Sequence, residues 1–311
     1  MAAETTIAVL NTAPGARPNR AVTWYAAIAD YWALTKPEVN FLILITTFAG
    51  FYLASTAGAG GFRILPVIHT LLGTLLVAGG TGTLNQYVER RFDAQMRRTA
   101  RRPLASGRIE SSHALWFGVS LSLAGTVYLA LAVSGLASLL ALVTLLSYLF
   151  LYTPLKRKTP LCVLVGAFPG AMPPLIGWAA ARGRIDLEAW LLYATVFLWQ
   201  FPHFMAIAWM YREDYSRAGY LVLPAGELRD RFVVWQTLVP SLALIAVSFV
   251  LTIDGEWGLV YSFGALILGS IFFYYSERFA FRKSNVTARQ LLAASIIYLP
   301  AVFVLMMLDK K

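Results

Sequence analysis

Residues 84–108 read LNQYVERRFDAQMRRTARRPLASGR, which puts carboxylates and seven arginines at the end of a stretch, 64–88, that carries no formal charge. Asn85, Glu89 and Asp93 are spaced four and four. On an α-helix each step of four drifts by only about 40°, so the three share one face. Carboxylate and amide oxygens are the hard ligands that Mg²⁺ accepts, and Mg²⁺ keeps some water and bridges to substrate phosphate instead of filling a protein cage. Arg90, Arg91, Arg97, Arg98, Arg101, Arg102 and Arg108 would meet the remaining phosphate charge. A topogenic loop alone accounts for the arginines. It does not require acids at helical spacing on the membrane end of the helix.

The rest of the chain is membrane-like. Of its 311 residues 58% are hydrophobic and only 14% charged, far from the composition of a soluble domain. Charge-free windows cover 39–62, 64–88, 111–155, 159–181, 189–211, 232–253, 257–276 and 290–308, each long enough to cross ~30 Å of hydrocarbon. The window 111–155 is of double length, with a hairpin at Ser134-Gly135, so the chain is expected to be an all-α polytopic membrane protein of nine transmembrane helices. Period-two alternation is absent, which excludes a β-barrel. The membrane domain is placed at 37–308, after an N-terminal tail of 1–36 and before a short tail of 309–311.

With a cytoplasmic N-terminus, only Arg63, Arg182, Arg184, Lys310 and Lys311 fall outside, and every other Lys and Arg, including Arg17, Arg20 and Lys36, falls inside. That bias sets an expected topology with the C-terminus outside. The net charge of +10 then reflects orientation and anion binding, not nucleic acid. The first 36 residues show no apolar core with a cleavage site, and Trp24, Tyr25, Tyr31 and Trp32 suit a short interfacial helix. Cys162 is the single cysteine, which excludes an intramolecular disulfide, a CxxC pair and a CxxCH haem attachment.

Residues 200–224, QFPHFMAIAWMYREDYSRAGYLVLP, mirror the first stretch. An apolar helix leads to Glu213 and Asp214, flanked by Arg212 and Arg217 and closed by Leu223-Pro224. Alone, the two acids would be an ordinary solvated turn. Paired with the first stretch on the same side of the membrane, they suggest one site with two halves. Lys156, Arg157 and Lys158 supply a third basic loop that could clamp phosphate.

These residues resemble the UbiA superfamily of intramembrane prenyltransferases, most closely its protoheme IX farnesyltransferase (haem O synthase) branch. The superfamily pattern Asn-Asp-x-x-Asp-x-x-x-Asp reads here Asn85-Gln86-x-x-Glu89-x-x-x-Asp93, and the departures at Gln86 and Glu89 look like the haem branch, as does 96–104, MRRTARRPL. Further matches are Thr35-Lys36-Pro37, Tyr152-Thr153 with Lys156-Arg157, Gly170-Ala171-Met172-Pro173-Pro174 with Gly177-Trp178, and Pro202-His203-Phe204 leading to Asp214-Tyr215. The likeness spans roughly 30–300. Where most of the superfamily has a second aspartate-rich motif, Tyr211 and Tyr215 flank Asp214.

The resemblance implies helices around a central cavity opening to the cytoplasmic side. The implied reaction is farnesyl transfer from farnesyl diphosphate to a vinyl group of haem b, with water adding to give haem O. Mg²⁺ would be held by Asn85, Glu89, Asp93 and Asp214, and the diphosphate by Arg97, Arg101, Arg102, Lys156, Arg157, Arg212 and Arg217. Haem b enters as substrate, and a haem A synthase or terminal oxidase would receive the product. His203 lies eleven residues before Asp214, about three turns and ~16 Å along a continuous helix, on the same face at a different depth. Its plain role is a hydrogen bond to a neighbouring helix. Its functional role would be to ligate or position the haem, since imidazole is a usual iron ligand. Two alternatives stay open: a quinone or chlorophyll-like acceptor, and a transporter, which should show inverted repeats and broken helices.

Overall fold

Backbone groups in hydrocarbon have no water to bond, so each apolar run must satisfy its own N–H and C=O groups, and a helix does so. The computed structural model describes residues 24–56, 62–253 and 257–310. Arg17, Arg20, Lys311 and any leader segment lie outside the described residues. The helices are α1 (Trp24–Leu34), α2 (Pro37–Thr56), α3 (Ile64–Asp93), α4 (Ser111–Ala132), α5 (Gly135–Leu146), α6 (Thr153–Leu155), α7 (Cys162–Gly170), α8 (Met172–Arg182), α9 (Leu187–Met210), α10 (Arg212–Arg217), α11 (Glu227–Ile253), α12 (Leu259–Arg282) and α13 (Asn285–Leu308). Among the described residues nine spans are long and apolar enough to cross a membrane, with α5–α6 and α7–α8 each forming one. The chain is an integral membrane protein.

The expected hairpin sits where Ser134 caps α5 by accepting the Ala137 N–H. α3 continues without interruption for 30 residues to Asp93, so the polar stripe occupies its last turns. Two spans are less regular than their windows suggest. The span after Thr159 breaks at Ala171, between α7 and α8. Pro173 and Pro174 sit in the first turn of α8, where a helix has no use for their missing N–H groups. Before α6, residues Ser147–Tyr152 form a π-helical turn. Pro154 cannot donate to the turn behind it, and the wider turn lets the Thr153 N–H and hydroxyl both reach the Tyr148 carbonyl. That offset precedes two residues of the site, Thr153 and Lys156.

α2 and α8 pack closely because Gly50 and Gly177 interlock. A Cβ at Gly177 would fall on the Thr47 carbonyl and one at Gly50 on that of Pro174. Gly177→Val is expected to cost about 1–3 kcal/mol, measured as a lowered unfolding midpoint in detergent, and an unchanged midpoint would count against this contact. At the far end of the bundle, basic side chains tie helix ends together. Lys310 Nζ donates to the Leu53 carbonyl at 2.6 Å and lies over the Trp178 and Trp257 rings. Arg182 joins Asp186 at 2.9 Å and the Ala54 carbonyl at 3.1 Å. Asp309 Oδ2 accepts the Tyr261 N–H at 2.7 Å, so Asp309 and Lys310 are both bonded into the bundle.

At the arginine-rich end, α1 leaves Trp24, Tyr25, Ile28 and Trp32 exposed and buries Leu34 against Leu104, Ile109 and Ala114. Arg108 pairs with Asp30 at 2.9 Å, which docks α1 on the loop after α3.

Candidate active site

Asn85, Gln86, Glu89 and Asp93 are all buried on α3, and buried polar groups need partners. Gln86 donates to the Ala33 and Leu34 carbonyls at 3.2 and 3.0 Å. The other three each meet a different cation. Lys36 Nζ donates to Asn85 Oδ1 at 2.6 Å, Lys156 Nζ to Glu89 Oε1 at 2.8 Å, and Arg102 Nη1 to Asp93 Oδ2 at 2.8 Å. Asn85 Nδ2 also donates to Thr153 Oγ1 at 3.3 Å, and the Tyr220 hydroxyl to Glu89 Oε1 at 3.0 Å. One network therefore draws on α3, its following loop, the α1–α2 joint, the α6 end and the loop after α10.

Backbone geometry delivers these groups. Lys36 has φ of 56°, in the left-handed region. Pro37 disfavours a right-handed helical conformation before it, and a non-glycine residue in the left-handed region is held only by its surroundings. Here Lys36 N bonds the Ala33 carbonyl and Asn40 Nδ2 the Thr35 carbonyl. The kink separates α1 from α2 and brings Lys36 to Asn85. Arg102 returns to Asp93 because the intervening loop is itself coiled, with Thr99 Oγ1 donating to the Asp93 carbonyl at 2.9 Å and Ala100 N to that of Met96 at 2.8 Å.

Burial, with the Arg102 charge next, pushes the Lys36 ammonium down to about 7. Burial would also lower Lys156, but the Glu89 carboxylate beside it holds it well above the usual ammonium range. The Tyr220 hydroxyl is pushed up by burial and by Glu89. Lys36 thus lacks a full counter-charge, whereas Lys156 has one. The network is walled by rings: Lys156 lies 4.5 Å from the Tyr152 centroid and 5.9 Å from that of Tyr220, and Phe92 is 5.9 Å from Tyr220.

The second acidic stretch forms an adjoining cluster. Asp214 is buried, paired with Arg217 at 3.1 Å, and accepts the Arg98 backbone N–H at 3.4 Å. The Arg98 guanidinium lies over Tyr211 at 4.7 Å. Met96, Ala218 and Tyr220 pack together between the halves, and Leu221 N donates to the Lys156 carbonyl at 2.7 Å. The two stretches therefore meet, as their symmetry suggested.

The basic residues sort unequally. Arg97, Arg101, Arg157 and Arg217 are exposed at the rim, Arg157 with its guanidinium 4.3 Å from the Phe92 ring centroid. Arg212 bonds the Trp209 carbonyl and Asn285 Oδ1, tying α9 to α13. Glu213 is exposed. His203 lies apart from both clusters, with Nδ1 2.8 Å from Ser295 Oγ and its ring stacked on Trp199 at 4.7 Å. Sequence reasoning assigned no chemistry to Lys36, Thr153 or Tyr220. Two signals for Lys36 were available: it is the sole basic residue between Arg20 and Arg63, and it stands in the Thr35-Lys36-Pro37 match.

Among the described residues no three His, Cys, Asp or Glu side chains converge as a metal site, so Glu89, Asp93 and Asp214 do not form one. Asp93 Oδ1 is nevertheless buried with no hydrogen-bond partner. A buried carboxylate oxygen left free is costly unless something else meets it. It is a hard donor of the kind Mg²⁺ takes when phosphate and water supply the rest of its shell. The residues fit such an ion. A lateral cleft of about 350 Å³ between α12 and α13, lined by Leu268, Phe272, Tyr275, Gln290 and Tyr298, contains none of these groups.

The UbiA prenyltransferase family profile matches residues 43–304. A protein from Solibacter usitatus described as protoheme IX farnesyltransferase is 47% identical over 287 residues, covering 90% of this chain and 98% of its own. One from Koribacter versatilis, described in the same words, is 40% identical and covers 96% of this chain and 98% of its own. Among solved structures, a digeranylgeranylglyceryl phosphate synthase shares the fold with a TM-score of 0.73 at 18% identity, covering 91% of this chain and 98% of its own. A UbiA homolog from Archaeoglobus fulgidus bound to GPP and Mg²⁺ aligns with a TM-score of 0.63 at 15% identity, covering 89% of this chain and 99% of its own.

Proposed function

The chain belongs to the UbiA prenyltransferase family, and from that premise we propose that it transfers the farnesyl group of farnesyl diphosphate to a vinyl group of haem b. The observation that carries this is the cation-lined polar network at the end of α3. The reading of the acceptor rests on the relatives described as protoheme IX farnesyltransferases, which match nearly the whole chain.

In the reaction, the C1–O bond of the farnesyl diphosphate breaks and inorganic diphosphate leaves. C1 bonds to the terminal vinyl carbon, water adds at the other vinyl carbon, and that water loses a proton. Breaking the first bond needs the leaving charge to be met. Lys36 and Lys156 supply largely buried positive charge and Arg102 a partly exposed one, with Arg97, Arg101, Arg157, Arg212 and Arg217 around them. Mg²⁺, when bound, acts as a Lewis acid on the diphosphate. Asp93 would hold it, with Glu89 and Asn85 behind on the same face and Asp214 as the acid of the second half. The rings of Tyr152, Phe92 and Tyr220 can stabilise the allylic cation by their faces while excluding water. The vinyl group attacks as an alkene, so that step demands no general base.

We place the arginine-rich end on the cytoplasmic side of a bacterial inner membrane, with the nine-helix domain at 37–308, α1 in the interface and a central cavity opening to that side. The product would pass to a haem-modifying enzyme or an oxidase. His203 is the group on α9 suited to meet the acceptor's iron. Chromatography of haems extracted from cells expressing the chain tests the reading: a farnesylated, more hydrophobic haem is expected, and a prenylated quinone precursor in its place would reassign the acceptor.

Lys36 gives a separate expectation. Its ammonium donates only to an amide oxygen, so a diphosphate oxygen would gain a charge-assisted bond. Lys36→Met is expected to raise KM for farnesyl diphosphate about 10- to 100-fold, the equivalent of ~1.5–3 kcal/mol. An unchanged KM in steady-state assays would remove Lys36 from the diphosphate site.

A further inference from the structure

The setting of His203 is organised from α13. Its Nδ1 lies 2.8 Å from Ser295 Oγ, and the same Oγ donates to the Leu292 carbonyl at 2.6 Å. A serine hydroxyl has one proton. With that proton committed to Leu292, Oγ has only lone pairs to offer the imidazole, so the ring donates and the hydroxyl accepts. Nδ1 therefore carries the imidazole proton, and Nε2 is the bare nitrogen. The opposite assignment would hold the Ser295 and Leu292 oxygens 2.6 Å apart with no proton between them.

Two more contacts fix the ring. Trp199 stacks on it at 4.7 Å with 27° between the planes, and Trp199 Nε1 donates to the Ser295 backbone carbonyl at 2.8 Å. Ser295 thus holds the imidazole through its side chain and the indole beside it through its backbone. Nε2 makes no hydrogen bond among the described residues.

We propose that Ser295 is a positioning residue for the acceptor: it locks His203 in the Nδ1–H tautomer and so offers the Nε2 lone pair to the iron of a haem substrate. The proposal rests on the acceptor reading above. A proton on Nε2 would block the iron, whereas an Nδ1–H···Oγ bond both exposes the lone pair and makes it a better donor. A neutral hydroxyl strengthens the ligand less than a carboxylate would, which suits a substrate that must also leave.

The test uses the purified full chain and its Ser295→Ala, Ser295→Thr and His203→Ala variants in lipid nanodiscs, titrated with haem b and read by the Soret band. His203→Ala should lose the histidine-ligated spectrum. Ser295→Ala should bind haem about ten-fold more weakly, with a spectrum shifted toward that of His203→Ala and an unchanged KM for farnesyl diphosphate. Ser295→Thr, which keeps the hydroxyl, should restore both. The tautomer is read independently of haem by ¹⁵N chemical shifts of labelled histidine, with His69→Gln and His113→Gln leaving only His203. A protonated Nε2 in wild type overturns the proposal. So does a wild-type Soret band in Ser295→Ala, even with a lowered unfolding midpoint, because Ser295 would then serve packing alone. A wild-type spectrum in His203→Ala while farnesylated haem still forms overturns it and leaves the acceptor reading intact. If wild type neither binds haem nor farnesylates it, both fall.

Discussion

Asp93→Asn is expected to lower farnesyl transfer by on the order of 10³-fold while the protein still inserts and folds. The substitution keeps the size of the side chain and one of its oxygens, so packing at the end of α3 is preserved. It removes the charge that sets this residue apart. Asp93 Oδ2 is held by Arg102 at 2.8 Å, and Oδ1 is buried and without a partner. A neutral amide offers Mg²⁺ a much weaker donor, and in one of its two orientations it presents NH₂ there. Arg102 is 27% exposed and can turn to water, so the loss of its partner costs about 0–1 kcal/mol. Turnover with labelled farnesyl diphosphate, together with circular dichroism melting in detergent, separates the two effects. Full activity in the variant, or in wild type with excess chelator, would sink the metal assignment.

The features legible in the sequence were those that the membrane dictates. Hydrocarbon forces each charge-free run into a helix, so the spans and the hairpin at Ser134-Gly135 followed from composition and length. The stripe Asn85, Glu89, Asp93 followed from the pitch of a helix. Tertiary aim did not. Arg101 and Arg102 are neighbours of the same chemistry, yet one is exposed and the other sits on Asp93, because the loop after α3 coils back on itself. Lys36 read as a topogenic charge, since nothing in its local sequence announces a left-handed residue or a partner 49 positions away. Tyr220 reaches Glu89 across 131 positions. The break at Ala171 and the π turn at Ser147–Tyr152 are set by prolines that a hydropathy window averages away. His203 was legible as deep and distinct from Asp214, but its bond to Ser295 was not.

The pair Glu89–Lys156 should separate stability from activity. The Lys156 side chain is 13% and the Glu89 side chain 7% exposed, their charged atoms 2.8 Å apart, with Tyr220 adding a second bond to the carboxylate. Removing one partner strands a buried charge, so Glu89→Gln and Lys156→Met are each expected to lower stability by about 3–5 kcal/mol. Replacing both removes the stranded charge, and a buried pair exchanged for uncharged groups is often close to neutral in stability. The double variant should therefore regain most of what each single one loses, a coupling visible as non-additivity in SDS-unfolding midpoints. Transfer activity should not return, because the double variant lacks both the cation that meets the leaving diphosphate and the carboxylate on the metal-facing stripe. If activity recovers with stability, the pair is a structural strut joining α3 to the end of α6. If stability losses simply add, the two side chains do not depend on one another. A stable, inactive double variant would mean that this buried ion pair is retained for the chemistry at the end of α3, since the bundle itself can stand without it.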